Sequence, residues 1–209
     1  MTIPRPSKIV CVGRNYLEHA RELGNELPER PLIFLKPSSA LIDDGDPIVL
    51  PPESQQVEHE GEIAVVIGAR ARHVTPERAM RYVAAFAPLN DVTARDLQKT
   101  DGQWTRAKGF DSFCPMGTFV PAEGVEVEAL EVICRVNGEV RQHGYARDMA
   151  FDIPTLISYI SGIMTLEPGD VIATGTPAGV SRLQPGDVVE VEIPGVGKLR
   201  NPVVAAPSA

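Results

Sequence analysis

Glu58-His59-Glu60-Gly61-Glu62-Ile63-Ala64-Val65-Val66-Ile67 carries three carboxylates straight into an apolar, β-branched run. A run of this length and composition reads as a strand, and because both of its faces are hydrophobic the strand is expected to be buried on both sides. Extending strand geometry back through Glu60 places Glu60, Glu62, Ala64 and Val66 on one face. Two carboxylates one pleat apart at the mouth of a buried strand repel each other and lose hydration. A bound cation resolves both problems. The alternative is a solvated strand end where acids merely sit.

Similar short runs recur on either side: Ile9-Val10-Cys11-Val12, Leu32-Ile33-Phe34-Leu35, Val132-Ile133-Cys134, Val171-Ile172-Ala173 and the stretch from Val188 to Ile193. Bounded by Gly, Pro or Asp, they read as strands. Asn137-Gly138 between two such runs predicts a two-residue type I′ hairpin, since both residues tolerate positive φ. Leu166-Glu167-Pro168-Gly169-Asp170-Val171-Ile172 is echoed by Leu183-Gln184-Pro185-Gly186-Asp187-Val188-Val189. Each Pro-Gly suits the centre of a type II turn that launches a strand. Helices are fewer, at about 16–23, 76–84 (with Thr75 as N-cap before Pro76), 93–100 and 154–164. The last is apolar on most sides and should be buried or packed on a partner. The fold class is therefore β-rich α+β, with strands too irregularly spaced for a doubly wound sheet. No compositional break marks a linker, so one domain is expected over 1–209, with 203–209 as a frayed tail.

The 209 residues carry 20 basic and 28 acidic side chains, a net charge of −8. That balance argues against binding a phosphate backbone, so no nucleic-acid partner is expected. No stretch approaches the ~20 apolar residues of a membrane span, and no signal-peptide pattern is present, so no membrane partner is expected either. Cys11, Cys114 and Cys134 are an odd number without Cys-x-x-Cys spacing. They read as reduced, buried thiols of a cytoplasmic protein.

Asp91 follows the apolar run from Ala84 to Leu89 and precedes Val92-Thr93-Ala94-Arg95-Asp96. Thr93 with Asp96 three residues on looks like a capping box, which leaves Asp91 at a strand end without a structural task; the alternative is that Asp91 itself caps the helix. If Glu60, Glu62 and Asp91 converge, they form an all-oxygen site suited to Mg²⁺ or Mn²⁺ rather than zinc. On the helix that follows Gly13-Arg14-Asn15, His19 and Glu22 stand at i and i+3. A carboxylate beside an imidazole can make a general base, although a mixed-charge surface helix has the same pattern. The Gly24-Asn25-Glu26-Leu27-Pro28 loop would let this segment, about 15–28, move as a lid. Thr174-Gly175-Thr176-Pro177-Ala178-Gly179 lacks the ending of a phosphate-binding loop, and no nucleophile elbow is present. Cys114 reads as packing. Lys36 and Lys108 read as anion contacts or as snorkelling surface lysines.

Six motifs in order resemble the fumarylacetoacetate hydrolase family, specifically its short single-domain members. They are Val12-Gly13-Arg14-Asn15-Tyr16, Phe34-Leu35-Lys36-Pro37, Glu60-Gly61-Glu62, Asn90-Asp91-Val92-Thr93-Ala94-Arg95-Asp96-Leu97-Gln98, Ala107-Lys108-Gly109-Phe110-Asp111 and Thr174-Gly175-Thr176-Pro177-Ala178-Gly179-Val180. The resemblance implies a mixed β-sheet roll or sandwich with flanking helices, usually a homodimer. It implies Glu60, Glu62 and Asp91 as ligands of Mg²⁺ or Mn²⁺, and His19 and Glu22 as a catalytic dyad on a lid helix. It implies Arg14, Gln98, Lys108 and Thr176 as substrate-binding residues. The chain begins close to the first strand of the resembled domain. It is therefore expected to lack the extra N-terminal domain of the larger hydrolases, and fumarylacetoacetate is not the expected substrate.

The expected substrate is a 2-oxo acid that chelates the metal, which acts as a Lewis acid toward the enolate. Lys108, Gln98 and Thr176 would orient or neutralise the anionic oxygens of the substrate. The dyad favours C–C hydrolysis of an acylpyruvate by activated water. Decarboxylation or tautomerisation of oxaloacetate, and isomerisation of a 2-hydroxyhepta-2,4-diene-1,7-dioate-type compound, share the same enolate. A non-catalytic module that binds metal and oxo acid is the alternative of another class.

Overall fold

The computed structural model describes residues 5–207. The chain opens with β1 (Ile9–Gly13), α1 (Leu17–Glu22), β2 (Leu32–Lys36), β3 (Leu41–Ile42), β4 (Ile48–Leu50) and β5 (Val57–Glu58). The central run follows as β6 (Gly61–Ile67), then α2 (Pro76–Ala79), β7 (Val83–Asn90), β8 (Thr93–Ala94), α3 (Arg95–Thr100) and α4 (Thr105–Gly109). After β9 (Cys114–Pro115) and β10 (Val120–Pro121) come β11 (Glu131–Val136), β12 (Glu139–Tyr145), α5 (Ile153–Ile163), β13 (Val171–Ala173), β14 (Val188–Ile193) and β15 (Gly197–Ala205).

The strands form a six-stranded sheet, ordered β10-β7-β6-β13-β1-β2, and a five-stranded sheet, ordered β12-β11-β14-β15-β4. Both are mixed: β1 runs parallel to β13 and β15 parallel to β4, while the other pairs in the two sheets are antiparallel. One core lies between them, where Val10, Ile63, Val65 and Phe86 of the larger sheet meet Val132, Val191 and Leu199 of the smaller. The opposite face of the larger sheet buries a second cluster around Ile9, Cys11, Ala64, Leu89 and Cys114. β6 is buried at all seven positions, as its two apolar faces require. This is the strand-rich α+β architecture that the sequence pattern and the resemblance imply. Among the described residues no helix is long and apolar enough to cross a membrane.

Local chemistry accounts for several element ends. Asn137 and Gly138 take φ of 53° and 83°, as a type I′ hairpin between β11 and β12 demands. The Pro-Gly echo is a repeated turn, with φ of 92° at Gly169 and 95° at Gly186. In both copies the following Asp170 or Asp187 accepts a backbone N–H three residues back, from Glu167 or Gln184, at 2.8 Å. α5 is capped by Asp152, which accepts from the Thr155 N–H at 2.8 Å, and it buries Leu156, Ile157 and Ile160.

Four expectations need correction. The helix expected over 76–84 ends at Ala79, and a 3₁₀ turn over Met80–Tyr82 leads into β7, because Val83 already pairs with Ile67. Thr75 makes no side-chain cap there. The helix expected from Thr93 begins at Arg95: the backbone of Thr93 and Ala94 pairs with β5, and the Thr93 hydroxyl donates to the Asp91 carbonyl at 2.8 Å. The helix expected to act as a lid over about 15–28 spans only Leu17–Glu22, because Gly24 at φ 70° unwinds it and the Asn25 N–H closes back on the Ala20 carbonyl. The tail expected to fray from Val203 instead continues β15 through Ala205 beside β4, while Ser208 and Ala209 lie outside the described residues.

Candidate active site

The antiparallel pairing of β6 with β7 builds the acidic cluster. Gly61 stands opposite Asn90, so Glu60 and Asp91 flank the same ladder rung, and the Asp91 N–H donates to the Glu60 carbonyl at 2.8 Å. The Asn90 side-chain oxygen accepts from the Glu60 N–H at 2.9 Å. Glu62 stands on the same strand, one pleat into β6, on the face it shares with Ala64. The three carboxylates are buried, with oxygens within 4.8 Å of one another. β13 lies beside both β6 and β1, parallel to β1. The loop after β13 and the start of α1 after β1 therefore emerge at this same end of the sheet.

Three buried cations answer the acids. Lys108 of α4 places its ammonium 2.7 Å from both Glu60 Oε2 and Asp91 Oδ2. Lys36 of β2 bonds Asp91 Oδ1 and the Val92 carbonyl. Arg95, at the start of α3, bridges Glu60 and Glu58. Burial raises the Glu60 pKa, but Lys108 and Arg95 outweigh it and hold the carboxyl well below the usual carboxylate range. The same carboxylates hold the Lys108 ammonium above its ordinary value against the opposing effect of burial. Glu62 has no cationic partner among the described residues. Its Oε2 accepts the Gly175 N–H at 2.8 Å, while burial first, then Asp91 and Glu60, push its pKa well above the ordinary value.

This donor set suits a hard divalent cation. It is all oxygen and buried, and its four carboxylates, including Glu58, face three cations, which leaves Glu62 without a cationic partner among the described residues. The Lys108 ammonium already bridges two of the three carboxylates as a cation would. Seating an ion among all three requires that bridge to open.

Of the nine side chains expected to form a site, eight line one cavity of about 310 Å³: the three acids, His19, Arg14, Gln98, Lys108 and Thr176. Glu22 stands behind His19, its Oε2 3.2 Å from His19 Nδ1, and it accepts the Gly179 N–H at 3.0 Å on Oε1. The loop after β13 therefore holds α1 through Glu22. This contact assigns the Nδ1 proton to His19 and leaves Nε2 as the ring nitrogen that can take a proton. Arg14 holds φ 59°, a conformation rarely adopted by a residue with a Cβ and typical of functional positions. Gln98 accepts from Arg95 at 2.6 Å. Cys114 is packing, as expected; its thiol is pushed up to about 12, chiefly by burial.

Sequence reasoning assigned no role to Arg95, Glu58, Trp104 or Phe34, and left Lys36 open. Arg95 and Lys36 lie inside the quoted motifs, but their partners are remote in sequence. Trp104 packs edge-on against Phe34 with ring centroids 5.2 Å apart, and Lys108 lies 4.9 Å over the Phe34 ring. Gly13 permits the close approach of Trp104, since a Cβ there would sit 2.9 Å from the indole. Gln142 and His59 form a buried network next to the acids that the sequence pattern did not reveal.

Comparison with known proteins agrees with this geometry. Residues 8–204 match the family model described as Fumarylacetoacetate (FAA) hydrolase C-terminal. The chain is 47% identical over 193 residues to the mitochondrial oxaloacetate tautomerase FAHD1 of Bos taurus, covering 90% of this chain and 87% of the relative. It superposes on a 5-carboxymethyl-2-hydroxymuconate delta-isomerase from Mycobacterium smegmatis with TM-score 0.90 at 45% identity, covering 98% of this chain and 81% of the other. A fumarylpyruvate hydrolase from Pseudomonas aeruginosa, solved with Mn²⁺ and pyruvate, superposes with TM-score 0.93 at 30% identity, covering 99% and 92%. The chain belongs to the fumarylacetoacetate hydrolase family and is an enzyme of that family.

Proposed function

We propose that the protein is a divalent-metal-dependent tautomerase acting on oxaloacetate or a closely related 2-oxo dicarboxylate. The observation that carries this reading is the buried triad Glu60, Glu62 and Asp91, with Glu62 lacking a cationic partner among the described residues, on the wall of a small cavity that His19 also lines. A cation held there, Mg²⁺ or Mn²⁺, would supply Lewis acidity toward an enolate oxygen. Arg14 and Lys108 give the cavity positive charge for a dianionic substrate. His19 Nε2 takes the C3 proton while Glu22, fixed by Gly179, orients the ring and stabilises the imidazolium; return of that proton to the substrate oxygen completes the exchange. Nothing in this cycle needs a water nucleophile or a leaving group. The 47% identity to a relative named as a tautomerase favours it over hydrolysis, which was the reaction expected from the dyad alone. Hydrolysis of an acylpyruvate is the second reading, favoured by the likeness to the fumarylpyruvate hydrolase.

The test follows the ultraviolet absorbance of enol-oxaloacetate with Mg²⁺, with EDTA, and in His19→Ala, with pyruvate release and acetylpyruvate cleavage measured in parallel. Metal-dependent enol–keto exchange that His19→Ala abolishes supports the proposal. Faster acetylpyruvate cleavage, or pyruvate release at the rate of enol loss, would replace tautomerisation by hydrolysis or decarboxylation.

A further inference from the structure

We propose that Gln142 of β12 is a positioning residue for the active site, locking the strand that bears Glu60 and Glu62 to the loop that bears Thr176. This rests on the metal-site reading above and deepens it. Gln142 belongs to the five-stranded sheet yet is buried, and its amide uses its full bonding capacity. The Oε1 atom accepts from the Gly61 N–H and from His59 Nδ1, both at 2.9 Å. The Nε2 atom donates to Thr176 Oγ1 at 2.7 Å and to the Pro177 carbonyl at 2.6 Å. A backbone N–H can only donate and a carbonyl can only accept, so Gly61 and Pro177 fix which end of the amide points where.

That orientation determines the next proton. Thr176 Oγ1 receives a hydrogen bond from Gln142, and it lies 2.8 Å from the Gly61 carbonyl, which has no proton to give. Its own hydroxyl proton therefore goes to Gly61. The result is a closed ring running from Gln142 to Thr176, from Thr176 to the Gly61 carbonyl, and from the Gly61 N–H back to Gln142. The Gln142 amide and the Thr176 hydroxyl each accept and donate, so the bonds on their two sides polarise one another in the buried setting. Gly61 is the residue between two of the three acids, and Gly175, beside Thr176, donates to Glu62 at 2.8 Å. The close approach is built in: a Cβ on Gly61 would lie 2.8 Å from the Cys134 Cβ of β11, and one on Gly179 would lie 1.9 Å from the Arg141 carbonyl of β12.

Two consequences follow for the reaction. The spacing of Glu60 and Glu62 against the 175–179 loop is set from the second sheet. The Thr176 hydroxyl meets the cavity contents as an acceptor only, so it can receive a bond from an enol hydroxyl or a water but cannot donate to a carboxylate oxygen.

The experiment measures Mn²⁺ affinity by calorimetry without substrate, beside thermal melting and steady-state kinetics, in Gln142→Met, Thr176→Val and Thr176→Ser. Gln142→Met and Thr176→Val each break the ring and should weaken Mn²⁺ about tenfold or more, the size typical of lost outer-shell partners. Both should also lower kcat at temperatures where the variant is fully folded. The double variant should bind no more weakly than Gln142→Met, since the ring is already open. Thr176→Ser retains the hydroxyl and should restore wild-type affinity. Mn²⁺ affinity within twofold of wild type in folded Gln142→Met overturns the proposal, and Thr176→Val decides it in the same way should Gln142→Met fail to fold. Because affinity is read without substrate, a wild-type protein that binds Mn²⁺ but does not tautomerise oxaloacetate would overturn the functional reading and leave this one standing.

Discussion

Glu62→Gln separates the charge of the metal site from its shape. Glu62 accepts the Gly175 N–H at 2.8 Å, a bond that a glutamine oxygen keeps, yet no buried cation compensates its charge among the described residues. Burial, and after it the Asp91 and Glu60 carboxylates, raise its pKa above the ordinary 4.5. As pH climbs past that ordinary value the unfolded chain ionises before the folded one, so metal-free stability falls between the unfolded and folded pKa values. A bound divalent cation inverts that logic. Free Mg²⁺ at a hundredfold its Kd adds about 2.7 kcal/mol of stability. Taking about 2.1 cal/mol/K of unfolding entropy per residue, 209 residues give about 0.44 kcal/mol/K, so the wild type should melt about 6 °C higher in saturating Mg²⁺ than in EDTA. In scanning calorimetry at neutral pH, Glu62→Gln should melt in EDTA at or above the wild-type temperature and gain about 1 °C or less from Mg²⁺. A variant that melts several degrees below wild type in EDTA, yet keeps the full Mg²⁺ gain, would refute the view of Glu62 as an uncompensated ligand.

Glu22→Gln keeps an acceptor for the Gly179 N–H but removes the charge beside His19, and should cut kcat about 10²-fold while Mn²⁺ affinity measured by calorimetry stays at the wild-type value. Asp170 is fully buried; burial raises its pKa, but the Lys8 and Ser7 side chains and the Glu167 N–H outweigh that and hold it below 3.8. Its contribution is therefore present at neutral pH and lost as acid titrates the folded carboxylate, so Asp170→Asn should cost about 2 kcal/mol in urea unfolding at pH 7 and progressively less below pH 4.

How legible the site was depended on the distance over which each relation acts. Glu60 and Glu62 could be paired because two residues on one strand share a face, a relation of period two that needs no tertiary knowledge. His19 and Glu22 were visible through the same kind of local rule on a helix. Asp91 emerged by elimination, although the step used was incorrect: Thr93 does not cap α3, because its backbone is taken by β5, and Asp91 is free of capping only because the helix starts later. Lys36, Arg95 and Gln142 were beyond such reasoning. Lys36 meets Asp91, Arg95 meets Glu60 and Gln142 meets Gly61 across at least 35 residues of sequence, and nothing in the composition around a lysine, arginine or glutamine tells which buried partner it will meet.

The cations also explain why this site can exist before any ion arrives. Burying Glu58, Glu60, Glu62 and Asp91 together without partners would cost several kcal/mol per charge. Lys36 offsets part of that cost at Asp91, and Arg95 at Glu58 and Glu60. Lys108 differs from them, because it bridges Glu60 and Asp91, two of the carboxylates that an incoming ion also needs. Two like charges a few ångströms apart in a medium of low dielectric repel by several kcal/mol, so the ammonium and a divalent cation compete for the same oxygens. An ion that wins that competition leaves a lysine against the cavity with no carboxylate to itself, and the counter-charge of a dianionic substrate is then what the pocket lacks.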